Sequence, residues 1–195
     1  LLVVVSAPYR PLITQWCEEI SLFGVQPVNL TLTNKLGRKK AINNAKRNLA
    51  YGISRVEILV TSIKTLCTEE FIEDISKIKA KKLFIADECH NLGTESFIIN
   101  PPEIFDFRLG LSATPIRQYD EEGTDKLFGY FGETCFSYTL EEAIGNCLTE
   151  YYYYAHIVEL TNQEMEDWRE LTQKIKVSHF RQKDDETNKS YENLL

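Results

Sequence analysis

Short runs of buried-strand character alternate with segments of helical period through residues 1 to 112, and this alternation limits the chain to few folds. Leu2 to Ser6 is a continuous, β-branched apolar run, the pattern of a strand covered on both faces in a parallel sheet. Pro8 to Phe23 follows, with Leu12, Trp16, Ile20 and Phe23 on one helical face. The unit then repeats. Val25 to Leu32 reads as a strand and Lys35 to Tyr51 as a basic helix; Val56 to Thr61 reads as a buried strand and Ile63 to Ile78 as an amphipathic helix. Leu83 to Asp87 and Arg108 to Ser112 are two further strands. This order predicts an α/β fold, a doubly wound and mainly parallel sheet with helices on both faces. Functional groups in such sheets collect outside the carboxyl ends of the strands. Ser6-Ala7-Pro8, Thr61-Ser62, Asp87-Glu88-Cys89-His90 and Ser112-Ala113-Thr114 stand at those positions.

Beyond Gly123 the pattern loosens. A short helix is expected over Thr124 to Phe131, a strand near Cys135 to Tyr138, and a helix over Leu140 to Cys147. The aromatic run Tyr151 to Tyr154, leading into Ala155 to Leu160, suits an exposed or edge strand. Thr161, with Glu164 three residues on, is a helix start of the capping-box type. The tail Arg181 to Ser190 is charged and lacks apolar periodicity, as a linker or mobile end would.

The longest apolar runs fall far short of the roughly 20 residues that span a bilayer, so a membrane helix is not expected. Five scattered cysteines without CxxC spacing support neither a disulfide framework nor a zinc cluster, and reduced thiols in a cytoplasmic protein are expected. The net charge of −7 conceals a division. Residues 1 to 86 hold 13 Lys and Arg against 7 Asp and Glu, while residues 87 to 195 hold 9 against 22. Six of the basic residues lie within Lys35 to Arg47. Such a run is either a solvated helix face or a nucleic-acid contact, and Lys39 and Lys40 are its candidate contacts.

The segment Leu83 to Leu92, LFIADECHNL, drives a buried strand into two adjacent carboxylates and a histidine. Carboxylates there are costly to bury without partners, and they meet a cation, a hydrogen-bond network or a solvated cleft. Asp87 followed by Glu88 has the chemistry to hold magnesium through water and to polarise an attacking water, although a plain turn would use the same residues. The surrounding motifs decide between these. Asp87-Glu88-Cys89-His90, Ser112-Ala113-Thr114-Pro115, SAPYRPLITQW from Ser6 to Trp16, and Val60-Thr61-Ser62 together resemble, in order, the first motor domain of superfamily 2 helicases and translocases, the DEAD/DEAH-box group. The resemblance covers residues 1 to 118 and looks closest to DExH proteins of the excision-repair-helicase or restriction and phage-defence kind.

The resemblance implies a RecA-like sheet of the P-loop NTPase type, ATP and Mg²⁺ as cofactors, and nucleic acid, DNA rather than RNA, as partner. By position, Asp87 would organise the metal and Glu88 the hydrolytic water. His90 would face a second motor domain, and Ser112 and Thr114 would hydrogen-bond towards His90 and the acidic box. Pro8, Arg10, Gln15, Trp16, Thr61 and Ser62 would line the nucleic-acid path. Trp16 also lies on the apolar face of its helix, where a core role is the simpler one. Cys89 fills the variable place of the box, and His156 and His179 read as structural or exposed.

The phosphate-cradling loop GxxxxGK[ST] is absent from the sequence. The chain also opens inside a strand-like run without Met, so it is expected to be a fragment, incomplete at the N-terminus. Residues 1 to 160 would be a partial first motor domain, and residues 161 to 195 a C-terminal helical extension and linker towards a second. Alone it would bind ATP weakly and not hydrolyse it. Without the phosphate-loop strand, Arg108 to Ser112 would be an unpaired apolar edge open to self-association. The competing expectation is a non-catalytic interaction module that keeps the fold. A metal nuclease using Asp87 and Glu88 is disfavoured because no further carboxylate or histidine motif completes a ligand set.

Overall fold

The computed structural model describes residues 1–92, 95–116 and 120–174; His179 and the tail Arg181 to Ser190 lie outside the described residues. It divides into two compact units, Leu1–Ser137 and Tyr138–Leu195.

The first unit is built on five strands, β1 (Leu2–Ala7), β2 (Val28–Asn29), β3 (Glu57–Ser62), β4 (Lys82–Ala86) and β5 (Phe107–Gly110). They pair in the order β2-β3-β1-β4-β5, every pair parallel. β1 is central, and all six of its residues are buried, which explains its unbroken apolar run. Around the sheet lie α1 (Arg10–Leu22), α2 (Lys35–Ala50), α3 (Ile63–Leu66), α4 (Glu69–Ser76), α5 (Glu95–Ile99) and α6 (Glu121–Phe131). The fold is α/β, as the alternation predicts, and RecA-like, as the resemblance implies.

Both faces of the sheet are apolar, but their cover is unequal. Val3, Val5, Ala7 and Val60 pack against α1 through Ile13, Trp16, Cys17 and Ile20. On the other face Leu2, Val4, Leu59 and Phe84 meet Ile42 and Ala45 of α2, Phe71 and Ile75 of α4, and Leu127 and Tyr130 of α6. Phe84 anchors an aromatic group there, stacked on Phe105 at 5.0 Å between centroids and edge-on to Tyr130 at 6.4 Å. Arg108 lies over the Tyr130 ring at 4.4 Å, and the Tyr130 hydroxyl donates to the Pro102 carbonyl at 2.8 Å. Burial pushes that phenol well above its ordinary pKa.

Several elements differ from the sequence reading, each for a local reason. The strand expected over Val25 to Leu32 shrinks to β2, because Pro27 has no N–H for a ladder and the Asn29 side chain accepts from the Thr31 N–H, bending the chain into a 3₁₀ turn at Leu30–Leu32. The helix expected over Ile63 to Ile78 breaks at Cys67 and Thr68. Ser62 caps α3, Thr68 is extended, and Glu69 and Glu70 open α4 in the first turn, where carboxylates are favoured. The buried face of α1 centres on Ile13, and Phe23, expected on it, is 86% exposed beyond the helix end.

No strand forms over Cys135 to Tyr138, where the chain finds no partner strand among the described residues. In the second unit, α7 (Leu140–Ala143) ends earlier than expected, closing in a turn with a bridge between Ile144 and Leu148. Tyr151 to Leu160, expected as a strand, is irregular and exposed, because among the described residues it too has no neighbour to complete a ladder. The capping box is present: Thr161 N–H donates to Glu164 Oε2 at 2.8 Å and Glu164 N–H to Thr161 Oγ1 at 3.3 Å, opening α8 over residues 162–174. The Thr161 N–H and hydroxyl, both donating to Glu164 Oε2 at 2.8 Å, hold that carboxyl below its usual pKa range. No helix among the described residues is long and apolar enough to cross a membrane.

Candidate functional site

Parallel pairing places the two candidate motifs side by side. β4 and β5 run with Ala86 opposite Gly110, and the pairing continues past both strands through Leu111 N–H to Ala86 O at 2.8 Å and Cys89 N–H to Leu111 O at 2.9 Å. His90 and Ser112 therefore emerge at the same end of the sheet. His90 Nδ1 lies 2.9 Å from Ser112 Oγ and 3.4 Å from Glu88 Oε2. The Asn91 amide nitrogen is 3.1 Å from His90 Nε2 and 3.2 Å from the Glu88 carbonyl. An amide N–H can only donate, which makes Nε2 the acceptor and leaves the proton on Nδ1, facing Ser112 and Glu88. Ser112 Oγ also receives the Thr114 backbone N–H at 3.1 Å, so Thr114 joins through its backbone while its side chain is exposed.

The acidic pair is tied to the centre of the sheet. Asp87 N–H donates to the Ser6 carbonyl at 2.8 Å, fixing the turn onto β1. Asp87 Oδ1 accepts the Glu88 N–H at 3.0 Å, and Oδ2 accepts Trp16 Nε1–H at 2.9 Å. Glu88 has φ of 48°, the left-handed region that side chains with a Cβ rarely adopt. Asn91 N–H closes on its carbonyl at 2.9 Å, so contacts on both sides hold the strained residue. Cys89, buried beneath, has its thiol pKa pushed up chiefly by that burial. Gly110 fits under this turn because a Cβ there would come within 3.1 Å of both Cys89 Sγ and the Phe131 ring.

The other candidate residues are spread over the end of β1, α1, α2 and the end of β3. Pro8 is half-buried, Arg10 and Gln15 are exposed on α1, and Trp16 is half-buried against the sheet. Thr61 and Ser62 separate: Ser62 reaches the surface and caps α3, whereas Thr61 is fully buried with its hydroxyl unpartnered and does not reach a surface path. Lys39 and Lys40 are exposed on α2, and Lys39 lines a shallow groove of mixed charge with Lys35, Arg38, Glu70 and Asp74. Glu70 tempers it through a 2.8 Å ion pair with Lys35.

A family profile described as DEAD/DEAH box helicase matches residues 1–121, more than half of the chain. The chain belongs to the DEAD/DEAH box helicase family. A search of curated proteins finds no significant match to it. In a helicase of this family, Asp87-Glu88-Cys89-His90 sits where β4 ends, at the carboxyl end of a RecA-like sheet. The family uses ATP and Mg²⁺. The donor set here fits that mode: hard carboxylate oxygens suit magnesium, which keeps several waters and takes one or two carboxylates plus substrate phosphates. Among the described residues no group of three or more His, Cys, Asp and Glu forms a self-sufficient metal cage.

Sequence reasoning missed one residue of this candidate site and one contact within it. Asn91, which sets the His90 tautomer, was legible as the residue after the box. The Trp16–Asp87 bond spans 71 residues and left no signal in the sequence.

Proposed function

We propose that this chain is part of the first motor domain of an ATP-dependent helicase or translocase of the DExH type, akin to excision-repair or restriction and phage-defence motors and acting on DNA. The observation that carries the reading is the link from Glu88 through His90 to Ser112 across the ends of β4 and β5, beside Asp87. Bound ATP with magnesium would supply the phosphoanhydride whose hydrolysis drives movement. Asp87 would hold the hydrated metal, and Glu88 would orient the attacking water. His90, protonated on Nδ1 and held by Asn91, would report the state of Glu88 to Ser112 and so to the face met by a second motor domain. Pro8, Arg10, Gln15 and Ser62 would contact a strand by its phosphates, which position without reading sequence.

Among the described residues β5 has a strand partner on one side alone, and that free edge supports the fragment reading. Phe107 and Leu109 of β5 are 56% and 37% exposed, on the face that, among the described residues, is covered by α1 alone. The connection from β1 to β2 moves towards the opposite edge and carries α1 on that face, while those from β2 to β5 move back and carry α2 to α5 on the other. By the right-handed crossover rule, a strand beside β5 whose connection returns to β1 would lay its helix over these exposed residues. The phosphate-loop strand and helix of the family would form such a unit. This chain alone is expected to bind ATP very weakly in a titration calorimeter, and tight, Mg²⁺-dependent binding would refute that. Should β5 pair with a second copy instead, sedimentation would report a concentration-dependent dimer.

The deciding experiment is ATP hydrolysis by the complete protein, with and without single-stranded and duplex DNA and RNA, beside Glu88→Gln. Stimulation by nucleic acid that vanishes in the variant is expected. Hydrolysis absent under all conditions would favour a non-catalytic module. Charge reversal of Lys39 and Lys40 is expected to weaken binding to all sequences and flatten its salt dependence. An unchanged salt slope would make α2 a solvated face.

A further inference from the structure

We infer that Trp16 is a positioning residue for Asp87, fixing the plane of the carboxylate through its indole N–H and tying the acid to helix α1. This rests on reading Asp87 as the acid that organises the metal. The indole nitrogen is a donor only, and its 2.9 Å contact with Asp87 Oδ2 gives it its single hydrogen bond. Glu88 N–H occupies a site on Oδ1, so one donor fixes each oxygen while each retains a second lone pair for a metal-bound water. The two donors differ in kind. Glu88 N–H belongs to the turn itself, whereas Trp16 comes from two turns into α1, with its ring wedged against the cluster of Val3, Val5, Ala7, Ile13 and Val60. A wedged ring cannot follow the carboxylate, so the carboxylate follows the ring. Tyr9 and Arg10, exposed at the start of the same helix, are thereby joined to the acid by one rigid element.

Partners that orient a metal-holding group typically change metal affinity or activity about 10- to 100-fold when removed. Trp16→Phe in the complete protein keeps an aromatic side chain, smaller than the indole, and deletes the donor. Hydrolysis titrated with Mg²⁺ at fixed ATP is expected to show a half-saturating Mg²⁺ concentration raised about 10-fold. Ile20→Val, which trims the same helix face, is expected to leave it unmoved. A merely structural Trp16 would lower the amount of active protein without moving the Mg²⁺ midpoint, and that result would overturn the proposal. A second readout is independent of catalysis. In this chain with Trp168→Phe, Trp16 carries the remaining indole, and its ¹H–¹⁵N resonance is expected to move upfield when Asp87→Ala removes the acceptor. A resonance that stays in place would overturn the contact itself. Wild-type protein with no nucleic-acid-stimulated hydrolysis would instead overturn the helicase reading, leaving the indole resonance to decide whether Trp16 holds Asp87.

Discussion

Glu88 offers a test in which strain and chemistry separate. Its φ of 48° is held by bonds on either side, from Asp87 N–H to Ser6, from Cys89 N–H to Leu111 and from Asn91 N–H to its own carbonyl. A residue with a Cβ in this region loses roughly 1–2 kcal/mol relative to its relaxed conformation, and glycine does not. Glu88→Ala and Glu88→Gly remove the same carboxylate and the same long contact with His90, so the difference between them isolates the backbone. At an ordinary position glycine costs roughly 0.5–1 kcal/mol against alanine through chain entropy. Here relief of strain outweighs that cost, and the glycine variant is expected to be more stable by about 0.5–1 kcal/mol. With a urea slope of about 2 kcal/mol/M, its midpoint would lie about 0.3–0.5 M above that of the alanine variant. The assay is paired urea unfolding by circular dichroism, read where the two slopes agree. A glycine midpoint at or below that of alanine would refute the argument that the turn is strained.

Other expectations follow from single contacts. Gly110→Ala should destabilise by about 1–3 kcal/mol, because Cys89 and Phe131 must both give way; a neutral urea midpoint would contradict the close packing. Thr61→Val keeps the branched shape and removes a buried hydroxyl without a partner, so a gain of about 1–2 kcal/mol is expected, and a loss would refute the lack of a partner. Lys81 and the Lys82 backbone N–H hold the Asp106 carboxyl below its ordinary value near 4. A depressed folded pKa adds stability that is present above the unfolded value and lost as pH falls through the folded one. Asp106→Asn should therefore flatten the fall in thermal midpoint below about pH 4, and an unchanged acid slope would count against the pair.

The elements that were legible in the sequence are those whose signal is local. The unbroken apolar run of β1 announced a central strand, and the cap of Thr161 announced a helix start, because burial on both faces and capping each act within a few residues. The acid box was legible for the same reason, as a short polar group ending a buried strand. Where local signals competed, the reading failed: Pro27 and Asn29 outweighed the apolar content of Val25 to Leu32, and Thr68 broke a helix that periodicity alone continued. What only the tertiary structure decided are the meetings of residues far apart in the chain. The parallel register of β4 and β5 joins His90 to Ser112, sheet order leaves β5 at an edge, and burial separates Thr61 from Ser62. The bond from Trp16 to Asp87 belongs with these, because a hydrogen bond requires its partners to be close in space and carries no trace of their separation along the chain.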